Sequence, residues 1–160
     1  MVAAIREYRP ADEQPVVELA LRAWASVFAS VEHLLGPQIF ARLHGDWRGY
    51  QAAAVRDTLA DSATRAWVAE AHQRLAGFVT ARLHEERRLG EVIMLAVDPE
   101  HQRAGIGSAL TEFATGWLRG CGMQVAMIET GGDVGHAAAR RVYESAGYTA
   151  LPIIRYFKAL

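Results

Sequence analysis

The stretch "EVIMLAVDPEHQRAGIGSALTEF", Glu91 to Phe113, passes abruptly from a strand pattern to a helix pattern. Its first part, "EVIMLAVDP", is a β-rich apolar run stopped by Pro99, which has no N–H to continue a ladder. Beyond it, Ile106, Leu110, Phe113, Ala114 and Trp117 recur with a helical period, so Gly105 to Arg119 reads as an amphipathic helix. Gly120 and Gly122 end that helix. Two glycines, Gly105 and Gly107, stand at the junction. A strand-to-helix junction gathers unpaired N–H groups and the positive end of the helix dipole, both of which attract a phosphate. Without a Cβ the backbone can come close to such a ligand, although a tight turn that binds nothing uses glycine equally well.

Three phosphate or nucleophile motifs can be compared with this junction. A P-loop requires Gly-Lys-Ser/Thr, and Gly107-Ser108 has no lysine. A dinucleotide fingerprint requires a third glycine where this chain has Leu110; Glu129, roughly 20 residues further on, keeps that alternative open. A nucleophile elbow requires G-x-S-x-G, which "GIGSAL" does not supply. The longer string Gln102-Arg103-Ala104-Gly105-Ile106-Gly107, preceded by "LAVDPEH", resembles the Q/R-x-x-G-x-G/A motif of the GNAT superfamily of acyl-CoA-dependent N-acyltransferases. The resemblance runs from about Glu91 to Leu160.

That resemblance implies a set of site residues. Backbone groups of Gln102, Arg103, Ala104, Gly105, Ile106, Gly107 and Ser108 would hold the pyrophosphate of coenzyme A. Leu95, Ala96 and Val97 would pair with its pantetheine arm beside a splay in the sheet, with an N–H near Leu95 or Ala96 meeting the oxyanion. In "ARRVYESAGY", similar to the family's A-x-x-x-Y-x-x-x-G-Y/F segment, Tyr143 is placed to protonate the leaving thiolate. Glu91, directly or through a water, is the expected base, with Glu129 in reserve. His136 departs from the family, which often has Asn seven residues before that tyrosine; it is assigned to the cofactor side with its exact role open. Each of these positions also has a plainer reading, as core tyrosine or solvated carboxylate or imidazole.

The remaining elements fit around this unit. Ala4 to Tyr8 reads as a strand, and Asp12 as the cap of a helix carrying Val16, Leu19, Ala20, Ala23 and Val27. Gly36-Pro37 breaks the chain before a second helix running to about Leu59. "RAWVAEA" and "LAGFVTARLH" form a hairpin around His72-Gln73-Arg74, and "EERR" a charged turn. "QVAMIET" is a further strand, "GHAAARRVYESAG" a late helix, and the last residues to Leu160 hold one or two strands. The expected architecture is a single α/β domain over 1–160 with an α+β mixed sheet. In the resembling family this is a mostly antiparallel sheet with a splayed parallel pair and flanking helices.

Composition removes several classes. The 160 residues are 51% hydrophobic and 22% charged, enough for a folded core. A net charge of −1 carries no basic footprint for nucleic acid. No apolar run reaches membrane length, and "MVAAIREYRP" lacks the features of a signal peptide, so a cytoplasmic location is expected. The six histidines show no H-x-x-x-H pairing and the lone Cys121 has no partner, so no metal is expected. Among the early aromatics and histidines, Trp24 and Trp47 read as core, while Phe28, His33, Phe40 and His44 are left open. The expected function is N-acetyl transfer from acetyl-CoA to a small-molecule amine or a peptide N-terminus, with a homodimer implied by resemblance alone. A non-catalytic acyl-CoA sensor and a dinucleotide-binding oxidoreductase are the alternatives.

Overall fold

The computed structural model describes residues 3–160. β2 (Thr64–Ala71) and β3 (Arg74–His84) are antiparallel. Their two-residue connection, His72-Gln73, holds both φ angles positive, at 51° and 63°. That is the left-handed geometry of a type I′ turn, whose twist matches the flanking strands. β1 (Ala4–Glu7) adds to β2, β4 (Leu89–Val97) adds antiparallel to β3, and β5 (Val125–Ile128) adds parallel to β4. The sheet order is β1-β2-β3-β4-β5, a mixed sheet with one parallel pair.

Side chains alternate between the two faces of these strands. One face packs Trp67, Val79, Ala81 and Val92 against Ile106, Leu110, Ala114 and Leu118 of α3 (Ile106–Gly120). The other packs Val68, Phe78 and Ala96 against α1 (Glu13–His44) and α2 (Trp47–Ala60), through Val16, Val17, Leu19, Ala20 and Val55. Burying each large apolar side chain contributes about 1.5–3 kcal/mol. α4 (Ala137–Ser145) packs on α3, where the Tyr148 hydroxyl shares a 2.7 Å hydrogen bond with Thr115.

Three expectations are corrected. Gly36 does interrupt the helical pattern (φ 76°, ψ 161°), but as a kink inside α1. The helix to Leu59 divides instead at Gly45-Asp46, where the Asp46 carboxylate accepts from the Gly49 N–H at 3.2 Å. Asp12 makes no side-chain cap on α1. Its carboxylate is drawn away by Arg6, at 2.8 and 3.0 Å, and accepts from the Arg9 N–H at 2.8 Å. A charged partner outcompetes helix amides for the same oxygens. Finally, residues 149–160 form neither of the expected closing strands. Among the described residues no helix is long and apolar enough to cross a membrane.

Candidate acyl-donor and acceptor site

β4 and β5 pair only from Leu89↔Val125 to Val92↔Ile128. From Ile93 to Val97, therefore, β4 has a neighbour on one side only. The cause is local: the β3–β4 register shifts between Thr80 and Ala81, a bulge that leaves Ile93 without a partner and bends the strand. At the bulge the Met94 N–H donates to the Thr80 hydroxyl, 3.0 Å away, and further on the Asp98 N–H donates to the Ala76 carbonyl. Hydrogen-bonding groups alternate along an antiparallel strand. Met94, Ala96 and Asp98 are thus turned toward β3, while Leu95 and Val97 present their backbone to the opening. Of Leu95 and Ala96, it is Leu95 whose N–H faces the opening.

The opening leads to the glycine loop. Gly105 occupies the left-handed region at φ 80°, where a side chain would be strained, and begins α3 with no side-chain cap. Among the described residues, the N–H groups of Ile106, Gly107 and Ser108 have no partner in the chain; the first amide bonded is that of Ala109, to the Gly105 carbonyl. Arg103 is also left-handed, at φ 61°, and Gln102, Arg103, Ala104 and Ser108 are exposed. Gly107 differs from Gly105. A Cβ there would meet only Val97 Cγ2 at 3.7 Å and Val142 Cγ2 at 3.9 Å, ordinary contacts. The fold itself does not require a glycine at 107, so its missing side chain keeps clear the space above three free amides.

Val142 at that point shows that α4 lies beside the loop. The next residue, Tyr143, is 9% exposed, and its hydroxyl has no hydrogen-bond partner among the described residues. Burial, with Tyr148 nearby, pushes its phenol up to about 12. Its proton therefore stays on oxygen at neutral pH. His136 is not the free helix-start imidazole of the plainer reading. Its Nδ1 is hydrogen-bonded to Asp133 Oδ1, and Ser30 of α1 donates to Asp133 Oδ2 at 2.7 Å. The Gly135 N–H donates to both Ser30 and Asp133, so α1 is tied to the start of α4.

On the α1–α2 side of the sheet, Glu91 Oε2 lies 2.7 Å from His84 Nε2, a contact between neighbouring strands with both side chains about a third exposed. Glu129 is set apart: its side chain is 81% exposed and its nearest cation, Arg155, is 3.9 Å away. Phe28 stacks on Trp47 at 4.4 Å and meets His44 edge-on at 5.5 Å, while Phe40 is buried and His33 exposed. Trp24 is half-buried against the Phe78 side of the core, as expected. Cys121 is exposed, and among the described residues no group of His, Cys, Asp or Glu is arranged for a metal.

Several residues around the site escaped the sequence reading. Asp98, buried at the end of β4, accepts from Arg22 of α1 at 2.5 and 3.1 Å and from the Glu100 N–H at 3.0 Å. Burial raises its carboxyl, but these hydrogen bonds outweigh it and hold the pKa below its ordinary 3.8. Asp-Pro before a turn was the only signal available, and it says nothing of Arg22. Asp133 is likewise raised by burial and lowered further by Ser30 and His136; Asp12 is lowered chiefly by Arg6. A carboxyl depressed in the folded state contributes stability above its unfolded pKa and loses it as pH falls through the folded value. The urea midpoint should thus hold steady down to about pH 5 and decline below about pH 4 as these three protonate. A midpoint unchanged at pH 3 would contradict this assignment.

The Acetyltransferase (GNAT) family profile matches residues 28–148. A mycothiol acetyltransferase of Streptomyces coelicolor is 39% identical over 82 residues, 51% of this chain and 26% of that protein. One from Amycolatopsis mediterranei is 34% identical over 119 residues, 65% of this chain and 38% of that protein. The chain thus spans well under half the length of these relatives. Among solved structures, AAC(6')-Iy in complex with the bisubstrate analog CoA-S-monomethyl-acetylneamine shares a TM-score of 0.68 at 16% identity, over 100% of both chains. At that identity the likeness speaks for the fold. With the family profile spanning most of the sequence, and the split sheet and glycine loop lying within it, the chain belongs to the GNAT acetyltransferase family.

Proposed function

We propose that the protein is an N-acetyltransferase that moves an acetyl group from acetyl-CoA to a primary amine by direct transfer in a ternary complex. The observation that carries this reading is the unpaired edge of β4 opening onto three free amides beneath Gly107. The residues present fit coenzyme A. Leu95 and Val97 offer strand-like backbone partners to an extended amide-bearing arm, and the amides of Ile106, Gly107 and Ser108 suit a pyrophosphate, with Arg103 and Gln102 beside them. His136, held by Asp133 at the start of α4, is assigned to the same cofactor.

When bound, acetyl-CoA supplies an activated acyl group. The chain's own contribution is proton handling and charge stabilisation. Glu91, or a water it orients, takes a proton from the acceptor ammonium, so that the free amine forms the C–N bond. The Leu95 N–H meets the oxyanion. As the C–S bond breaks, Tyr143 donates its proton to the sulfur. His84 holds the Glu91 carboxylate through their 2.7 Å contact. Glu91→Gln should lower kcat/KM about 100-fold at neutral pH. His84→Gln should lower kcat, with KM for acetyl-CoA unchanged. If kcat does not respond, Glu91 acts without His84.

The proposal also covers a single domain over 1–160, a cytoplasmic location, a homodimeric assembly and an acceptor that is a small-molecule amine or a peptide N-terminus. The test is a panel of amines incubated with acetyl-CoA and read by release of free thiol. The panel includes the acceptor of mycothiol acetylation, after the relatives' name, together with an aminoglycoside and a peptide N-terminus. Thermal shift with acetyl-CoA and with NADH accompanies it. Stabilisation by acetyl-CoA and amine-dependent release support the reading. Acetyl-CoA binding without release from any amine leaves a sensor instead, and stabilisation by NADH alone overturns donor and reaction together.

A further inference from the structure

Arg82 of β3 and Glu91 of β4 are direct partners in the sheet register. Side chains opposed in this way share a face, with Cβ atoms about 4.5–5.5 Å apart, and opposite charges so placed attract. Here they do not pair. Among the described residues no ion pair joins Arg82 to Glu91. The Glu91 carboxylate is taken by His84. The Arg82 guanidinium leaves toward β2, where Nη2 donates to Asp61 Oδ2 and, at 3.4 Å, to the Thr64 hydroxyl.

Asp61 is fixed in the turn that ends α2 and leads into β2. Its N–H donates to the Asp57 carbonyl and its own carbonyl accepts from the Thr64 N–H, both at 3.0 Å. Its Oδ1 accepts from the Ala63 N–H at 2.9 Å, an Asx turn that sets the carboxylate and leaves Oδ2 for the arginine. The grip on Arg82 is incomplete, because its Nε is buried and has no acceptor among the described residues. A guanidinium binds a carboxylate best through two parallel N–H groups. An arginine with an unused donor and a glutamate directly across from it would form that two-point pair if Asp61 released it.

Both side chains of the Asp61–Arg82 pair are about a third exposed, so the pair adds little to stability. Its effect is on position. A guanidinium on Glu91 would favour the ionised carboxylate and occupy the lone pairs that must take a proton from the acceptor. We propose that Asp61 is a positioning residue for acetyl transfer: by holding Arg82 toward β2, it keeps that guanidinium off the Glu91 carboxylate. The proposal rests on Glu91 as the base.

The test compares Asp61→Asn, Arg82→Gln and their combination in the full chain. Asparagine keeps the oxygen that accepts from Ala63 and loses the charge that holds Arg82. Asp61→Asn should lower kcat for amine-dependent thiol release about tenfold or more, a share of what removing a general base costs. KM for acetyl-CoA should not change, because the donor is held at the glycine loop. Arg82→Gln alone should leave kcat within about twofold of the parent, and adding it to Asp61→Asn should restore that level. A residue that merely stabilised the turn would not be rescued by removing its partner. Urea midpoints give a second readout, independent of acetyl transfer. Arg82→Gln and Glu91→Gln should act additively in the parent and non-additively once Asp61→Asn is present, when the freed pair couples. A loss of kcat that Arg82→Gln does not relieve overturns the proposal, and so do additive midpoints in both backgrounds. An unchanged kcat in Asp61→Asn, where Glu91→Gln is impaired, overturns it too. Non-additive midpoints beside a Glu91→Gln variant of parental kcat would leave the restraint on Arg82 standing and remove Glu91 as the base, so the two can fail separately.

Discussion

Tyr143→Phe is expected to lower kcat about 100-fold or more, while leaving the affinity for acetyl-CoA within about twofold of the parent. The substitution removes one oxygen from a side chain that is 9% exposed and otherwise keeps its ring. The hydroxyl has no partner among the described residues, so no intramolecular hydrogen bond is lost and the fold should not weaken. With its phenol pushed up to about 12, the tyrosine enters the reaction as a proton donor across the neutral range. A residue that only packed the core would give the opposite signature, with unchanged turnover. Stopped-time thiol release and calorimetric titration of acetyl-CoA separate the two. Unchanged kcat in the phenylalanine variant removes Tyr143 from the chemistry.

Gly107→Asp should show stability and binding moving in opposite directions. A Cβ at position 107 meets only ordinary contacts, and a carboxylate in the first turn of α3 faces the positive end of the helix. Loss of a helical glycine and the dipole interaction each favour the folded state by about 0.3–1 kcal/mol. The same carboxylate stands where the pyrophosphate is proposed to sit. At about 4 Å and an effective dielectric near 20, like charges repel by about 4 kcal/mol, so acetyl-CoA affinity should fall at least about 100-fold. The expected pair of results is a melting temperature equal to or above the parent and no thermal stabilisation by acetyl-CoA. An unaltered acetyl-CoA titration would mean that the donor binds elsewhere.

The parts of the fold that sequence revealed are those whose causes are local. The period of Ile106, Leu110 and Ala114 specifies α3 whatever surrounds it, and the glycine loop carries its geometry in its own residues. The β2–β3 hairpin is similar, although its turn uses His72 and Gln73 in place of the usual Asn-Gly. The spacing of Tyr143 from Gly147 was legible for the same reason. What escaped depends on distant partners. Arg22 and Asp98 are 76 positions apart, and Ser30 and Asp133 are 103 apart. Nothing in either local pattern announces the other residue. Asp12 was assigned to a cap because its oxygens suit one, yet Arg6 claims them. The closing segment failed as a strand for a related reason. Propensity in "LPIIRYF" is real, but a strand exists only where an edge accepts it. His84 fell outside every motif and became visible once β3 and β4 set it against Glu91.

The proposed reaction is direct transfer from a donor held by the glycine loop to an amine bound at the same time. The most direct measurement is the initial rate of thiol release with acetyl-CoA and an accepted amine varied together. Double-reciprocal lines that intersect, with no release in the absence of amine, are the predicted result. Parallel lines would place an acyl-enzyme on the path, and release indifferent to the amine would show hydrolysis; either contradicts the account.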